Sequence, residues 1–192
     1  MAFLVLIRHA KSVQQTDTSA HNWHLAQDGR AQCIQVARRL QKYEIGSMHS
    51  SDEPKAQETA ELIAGELSGV GVQLNRALRE TQRQSAPFYA DVQDFRRAIQ
   101  TAMERPQEVV YGEEAFEAAR QRFAGAIQTI VEGSSGHSTG VVSHGTIMAL
   151  YMADVMGMRP YDLWKLMDMP AYAVFRLADM KIMEICFSAA EA

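Results

Sequence analysis

Ala2-Phe-Leu-Val-Leu-Ile7 is apolar at every position, and such a run offers no face to water. Strands with one wet face alternate. A short continuous run instead suits a strand covered on both faces, as in a parallel sheet between two layers of helices. The run ends abruptly at Arg8-His9, which places a guanidinium and an imidazole at its carboxyl end. A second run, Gly140-Val-Val-Ser143, ends the same way in His144-Gly145. Two buried strands that each lead into a histidine frame everything between them.

Strand-like and helix-like segments alternate along the chain. Asp28 is placed to cap a helix whose apolar positions Ala31, Ile34, Ala37 and Leu40 recur at helical spacing. Glu44 to Ser51 reads as a weak strand. Pro54 then falls in the first turn of a helix carrying Ala56, Thr59, Ala60, Ile63 and Leu67 on its inner stripe. Val70 to Leu74 gives another short strand. From Glu80 to about Gly112 the chain turns polar, with Phe88, Tyr89, Phe95, Ile99 and Met103 scattered through it and a helix from about Asp91 to Met103. Glu113 to Glu132 and Thr146 to Met156 read as further helices, the latter stopped at Gly157. Ala171 to Leu177 and Lys181 to Phe187 form a hairpin around Ala178-Asp179-Met180. This order predicts an α/β fold: a three-layer α/β/α sandwich with a mostly parallel central sheet, an edge hairpin and a short helical lid insertion over about 81–112, with residues 1–192 as one domain.

Composition narrows the function. A net charge of −4 leaves no broad basic face, so no nucleic acid partner is expected. No stretch approaches the ~18 apolar residues of a membrane span, and the first run lacks a basic leader and a cleavage site. A cytoplasmic protein away from membranes is the expectation. Cys33 and Cys186 lie outside any CxxC or Cys/His array and read as two buried free thiols. His21, His24, His49 and His137 form no metal pattern, so no metal and no cofactor are expected. Met148, Met152 and Met156 sit four apart and read as core. Met167, Met169 and Met180 are candidates for a partner surface, consistent with a homodimer.

In open α/β sheets, ligands bind beyond the carboxyl ends of the strands. There stand His9, His144, Arg8 and the positive N-terminus of the helix after His144. Together they describe an anion site, best suited to phosphate. A neutral imidazole is also nucleophilic near pH 7. Each histidine alone fits a structural role at a strand end equally well, and the residues by themselves do not choose which would attack.

Leu4-Val-Leu-Ile-Arg8-His9-Ala10-Lys11-Ser12 resembles the strand and RHG motif of the histidine phosphatase superfamily, in its phosphoglycerate mutase-like branch, with Ala10 for the usual Gly. Leu25-Ala-Gln-Asp-Gly29-Arg-Ala-Gln32 resembles the family's Leu-Thr-x-x-Gly-x-x-Gln helix start. Ser50-Ser51 followed by Ala56-Gln-Glu-Thr59-Ala60 resembles its Ser-Ser-Pro-x-x-Arg-Ala-x-Gln-Thr-Ala motif. Leu78-Arg-Glu80 falls where the family places a catalytic acid, and Val141-Val-Ser-His144-Gly145 is similar to the second histidine motif. The resemblance spans about residues 3 to 187.

It implies a phosphohistidine mechanism. His9 would be the nucleophile, Arg8 and His144 would hold the phosphoryl oxygens, and Glu80 would be the general acid and then the base. Ser12, Lys55 and Gly145 complete the phosphate pocket implied for this chain, and no metal is called for. Four departures stand out. Lys55 occupies the place of the family's second arginine, without a bidentate fork. Asp52 and Glu53 bring carboxylates toward an anion site, and Glu58 stands where Gln is usual, with Lys55 as its simplest partner. Thr81-Gln-Arg-Gln-Ser85 lacks the Tyr and Gly that follow the acid in the mutases, which favours a phosphatase over a mutase. The expected function is metal-independent hydrolysis of phosphomonoesters, on a phosphorylated small molecule or a phosphohistidine protein. The alternatives are a catalytically weak phosphate-binding relative and a phosphoglycerate mutase.

Overall fold

A computed structural model describes residues 1–67 and 69–189. Its centre is a six-stranded sheet: β1 (Phe3–Arg8), β2 (Ile45–Ser50), β3 (Val72–Leu74), β4 (Ser138–Ser143), β5 (Tyr172–Arg176) and β6 (Lys181–Cys186). The spatial order is β3-β2-β4-β1-β5-β6. The first four are parallel neighbours, and β5 and β6 close the far edge as an antiparallel hairpin.

The continuous apolar character of β1 has a direct structural cause. Leu4 and Leu6 join one core, Val5 and Ile7 the other, and all four are fully buried. Each such side chain contributes roughly 1.5–3 kcal/mol on leaving water. Val141 and Val142 of β4 divide between the same two cores. On one face lie α1 (Gln27–Leu40) and α2 (Pro54–Glu66), with Cys33, Val36, Ala37, Ala60 and Ile63 turned inward. The other face carries α3 (Val92–Glu104), α4 (Phe116–Gly133), α5 (Gly145–Met156) and α6 (Pro160–Leu166), with Ile99, Phe123, Ile127 and Met148 among the buried residues. The architecture is the α/β sandwich expected, mixed through its edge hairpin.

Several details differ from the sequence reading. α1 begins at Gln27 after Ala26; Asp28 lies inside the first turn, bonded to Gly29 N and to Lys11. α4 begins at Phe116, three residues later than expected, because the Glu113 and Glu114 carboxylates serve the backbone of residues 82–85 instead. α6 had no counterpart in the periodicity; it has seven residues and opens on Pro160. Cys33 is buried, but Cys186 is only half-buried. Met167 is buried within the core, while Met169 and Met180 are half-buried. Among the described residues no helix is long and apolar enough to cross a membrane.

Candidate active site

The carboxyl ends of three adjacent parallel strands build the floor of the site. The ladder pairs Arg8 with Ser143, and it continues one step as His9 N donates to Ser143 O at 2.9 Å. On the other side, Ser51 N donates to Val142 O at 3.0 Å. Ser51, His144 and His9 therefore stand side by side. The two imidazole centroids are 5.2 Å apart, edge to face, close to the ~4.8 Å spacing of neighbouring strands.

His9 is buried, and its Nδ1 lies 2.8 Å from Ala10 O. A carbonyl only accepts, so Nδ1 carries the proton and Nε2 keeps its lone pair. Burial, then the charges of His144, Lys55 and Arg8, push the His9 pKa well below 6.5, which leaves the ring neutral. The turn after it is pinned by Thr59, whose Oγ1 accepts from Ala10 N at 3.0 Å. His144 is also buried, with its pKa pushed down to about 4 by desolvation. Its Nε2 meets Ser51 Oγ at 2.9 Å, while Nδ1 is buried without a partner.

Arg8 reaches across the start of α5. Its Nη1 donates to Met167 O, and its Nε is buried without a partner. Burial lowers its pKa to about 10, with Glu80 and Asp168 opposing the drop, so it stays charged. Gly145 is the residue this requires. A Cβ there would lie 2.8 Å from Arg8 Cζ and Nε, inside contact distance.

Glu80 sits where an anion was expected. Its Oε2 accepts from Thr146 N, and its Oε1 from Ile147 N and Thr81 N, all at 3.0 Å. The carboxylate thus occupies the N-terminus of α5, where partial positive charge and free N–H groups collect. Burial disfavours its charge, but Arg83, His144 and these backbone donors outweigh that and lower its pKa. The helix terminus expected to face a ligand has an internal carboxylate on it.

Above this floor lies a cavity of about 280 Å³. Arg8, His9, Ser12, Lys55, Glu80 and Gly145 line its lower part. His144 does not; it stands beside His9, one strand over. The upper wall is aromatic, with Trp23, Phe88, Tyr89, Phe95, Tyr111 and Trp164. Tyr89 and Phe95 both pack on Tyr111, at centroid distances of 6.0 and 6.2 Å.

The sequence profile of the histidine phosphatase superfamily (branch 1) matches residues 4–181. The chain belongs to that superfamily. No curated protein sequence gives a significant match to it. Many solved structures share the fold of this histidine phosphatase relative. Bacillus stearothermophilus YhfR is 22% identical, with a TM-score of 0.77 and full coverage of both chains. A mycobacterial glucosyl-3-phosphoglycerate phosphatase is 18% identical, with a TM-score of 0.76 over 98% of this chain and 99% of that one. The alpha-ribazole phosphatase from Shigella flexneri is 20% identical, with a TM-score of 0.73 over 99% and 98% of the two chains.

Within this superfamily member, the residues singled out by sequence converge, but some pairings differ. Glu58 does not meet Lys55. It pairs with Arg30 and His24. Lys55 is buried, with its ammonium bonded to Glu53 and, at 2.8 Å, to Ala20 O. Glu53 also lies 3.4 Å from His144 Nε2 and accepts from Glu80 N at 2.9 Å. Burial works against this carboxylate, yet His144, His21 and Lys55 hold its pKa well below the usual range. Asp52 is turned away onto Arg79. Sequence reasoning missed Ser51 as the partner of His144, and it missed Arg83, which lines the cavity beside Glu80. A serine pair before an acidic turn and an arginine in a loop carry no periodic signal that would mark them.

Proposed function

We propose that this chain is a metal-independent phosphatase that hydrolyses phosphomonoesters through a phosphohistidine at His9. One observation supports this reading above the others: a neutral imidazole whose tautomer is fixed by Ala10 O, beside the half-buried Arg8 guanidinium whose Nε has no partner, at the base of one cavity. A buried donor left without a partner costs about 1–3 kcal/mol, and an anionic oxygen relieves it.

The steps follow from these groups. His9 Nε2 attacks phosphorus; the N–P bond forms as the bond to the ester oxygen breaks. The leaving oxygen takes a proton from Glu80, which is ionised in the free protein and gains that proton when a phosphate monoanion settles beside it. Water then attacks phosphorus, returns its proton to Glu80, and the N–P bond breaks to release phosphate. Arg8 bears the charge that builds on the phosphoryl oxygens, while His144, oriented by Ser51, stands beside His9. Ser12, Gly145 and Lys55 border the same space.

The substrate in this reading is a small-molecule ester with a flat apolar body rather than a phosphohistidine protein. The cavity is near the small end of the ~300–1,000 Å³ range of such sites, and its upper wall is aromatic. A second reading, a weak relative that binds a phosphorylated ligand, draws on the clamp of Glu53 on Lys55. Hydrolysis of an aryl phosphate in EDTA, by wild type and by His9→Ala, tests the two. Activity that survives the chelator and vanishes with His9 supports the phosphatase. An inactive wild type that binds inorganic phosphate supports the binder.

A further inference from the structure

Three cations border the lower cavity: Arg8, Lys55 and Arg83. They differ in what already occupies them. The Lys55 ammonium is held by the Glu53 carboxylate and the Ala20 carbonyl, both buried with it. Its charge is neutralised at close range, and it has one donor left. Arg8 gives one nitrogen to Met167 O. Arg83 has only a loose contact, 3.9 Å, between Nη2 and Glu80 Oε2, and its Nη1 is buried without a partner.

The position of Arg83 is built from both sides. Gln82 N donates to Glu114 at 3.1 Å, Gln84 N to Glu113 at 2.9 Å, and Glu113 N returns to Gln82 O at 2.9 Å. Gly112 closes this junction at φ +91°, where an added Cβ would fall 2.7 Å from Arg83 Cα. Below, Arg122 on α4 donates to the carbonyls of Ala77, Arg79 and Glu80. The guanidinium itself lies over the Phe95 ring, 5.6 Å from its centroid, so its plane is set by the aromatic wall.

We propose that Arg83, which lines the cavity beside Glu80, is the second phosphate-gripping cation of this site, supplying the guanidinium contact that the Glu53-bound Lys55 does not. The inference rests on the phosphatase reading for its chemistry, and it names a residue for which neither the family motifs nor the strand ends account. Arg83 also joins the floor to the aromatic wall, because one guanidinium touches Phe95, Glu80 and the phosphoryl group together. A phosphorylated flat body is therefore recognised at both ends by one residue.

Two measurements separate this inference from the phosphatase reading. The first is binding of inorganic phosphate by titration calorimetry to wild type, Arg83→Gln and Arg83→Lys, which needs no turnover. The Gln variant should bind about 10- to 100-fold more weakly, the range for losing a hydrogen bond to a charged group. The Lys variant, which keeps the charge but not the fork, should recover only part of that. The second is aryl phosphate hydrolysis, where Arg83→Gln should raise KM and lower kcat, and Arg83→Lys should chiefly raise KM. Should Arg83→Gln fail to fold, Arg83→Lys decides alone, by weaker phosphate binding at an unchanged melting temperature. Phosphate affinity within twofold of wild type in a folded variant overturns the assignment, even if hydrolysis stands. A wild type that hydrolyses nothing yet loses phosphate affinity with Arg83 overturns the phosphatase reading and keeps the assignment. A wild type that neither hydrolyses nor binds phosphate overturns both.

Discussion

The floor and the wall of the cavity are made in opposite ways. The floor takes Arg8 and His9 from the end of β1, with His144 and Ser51 standing next to His9 at the ends of the neighbouring strands, so the backbone ladder positions them. The wall takes aromatic side chains from the segment between β3 and α4, from α6 and from the loop before α1, with no shared backbone ladder. Chemistry that tolerates little displacement sits on the rigid part. Recognition of the rest of the substrate sits on side chains that can differ without disturbing it.

That contrast can be broken or sharpened by substitution. Floor changes should lower kcat alike for every ester; wall changes should alter KM according to the leaving group. The largest effect is expected for Glu80→Gln, whose single amide oxygen can still accept from Thr81 N and Ile147 N, whose NH2 takes the place of the acceptor for Thr146 N, and which cannot carry the proton. Steady-state assays should show kcat down by about 10²–10⁴-fold with KM little changed. Gly145→Ala comes next. Its methyl would strike the Arg8 guanidinium, and moving that group by about 1 Å should cost on the order of 100-fold in kcat/KM. Tyr89→Ala tests the wall. KM for a bulky aryl phosphate should rise about 2- to 12-fold, the worth of one aromatic contact, with inhibition by inorganic phosphate unchanged. An equal rise in phosphate Ki would erase the distinction between floor and wall.

A separate effect falls on stability rather than on turnover. His9 and His144 have pKa values below 6.5, with His144 near 4. Above about pH 6.5 both are neutral whether the chain is folded or not. Below it the unfolded chain takes up protons that the fold refuses, so stability falls as pH drops toward 4, by at most about 1.4 kcal/mol per pH unit for each histidine. Glu80 adds a loss below pH 4.5, because its folded pKa is also lowered. Thermal melts across pH 7 to 4 should show the slope, and His144→Asn, if folded, should flatten it.

The floor was legible because it is local in sequence. Arg8-His9 and His144-Gly145 each follow a run whose apolar continuity announces a buried parallel strand, and a strand end is a fixed place. What escaped depended on distant partners. Glu58 meets Arg30 and His24 across α1 and the loop before it, not the lysine three residues away. The Asp28 side chain suggests a cap, but the backbone starts the helix a residue earlier and Lys11 claims the carboxylate. Arg83 stands in a polar stretch whose placement comes from Glu113, Glu114 and Arg122, some 30 to 40 residues on, and no periodicity encodes such a tie.

The agreement between the inter-histidine spacing and the strand spacing has a consequence for engineering. A main-chain ladder acts as a ruler that no side-chain replacement elsewhere can recalibrate. Residues 81–111 could therefore be exchanged for another stretch, Arg83 retained, with the two imidazoles still standing one strand apart. Retargeting such a scaffold becomes a grafting problem, with the reactive pair inherited intact from the sheet.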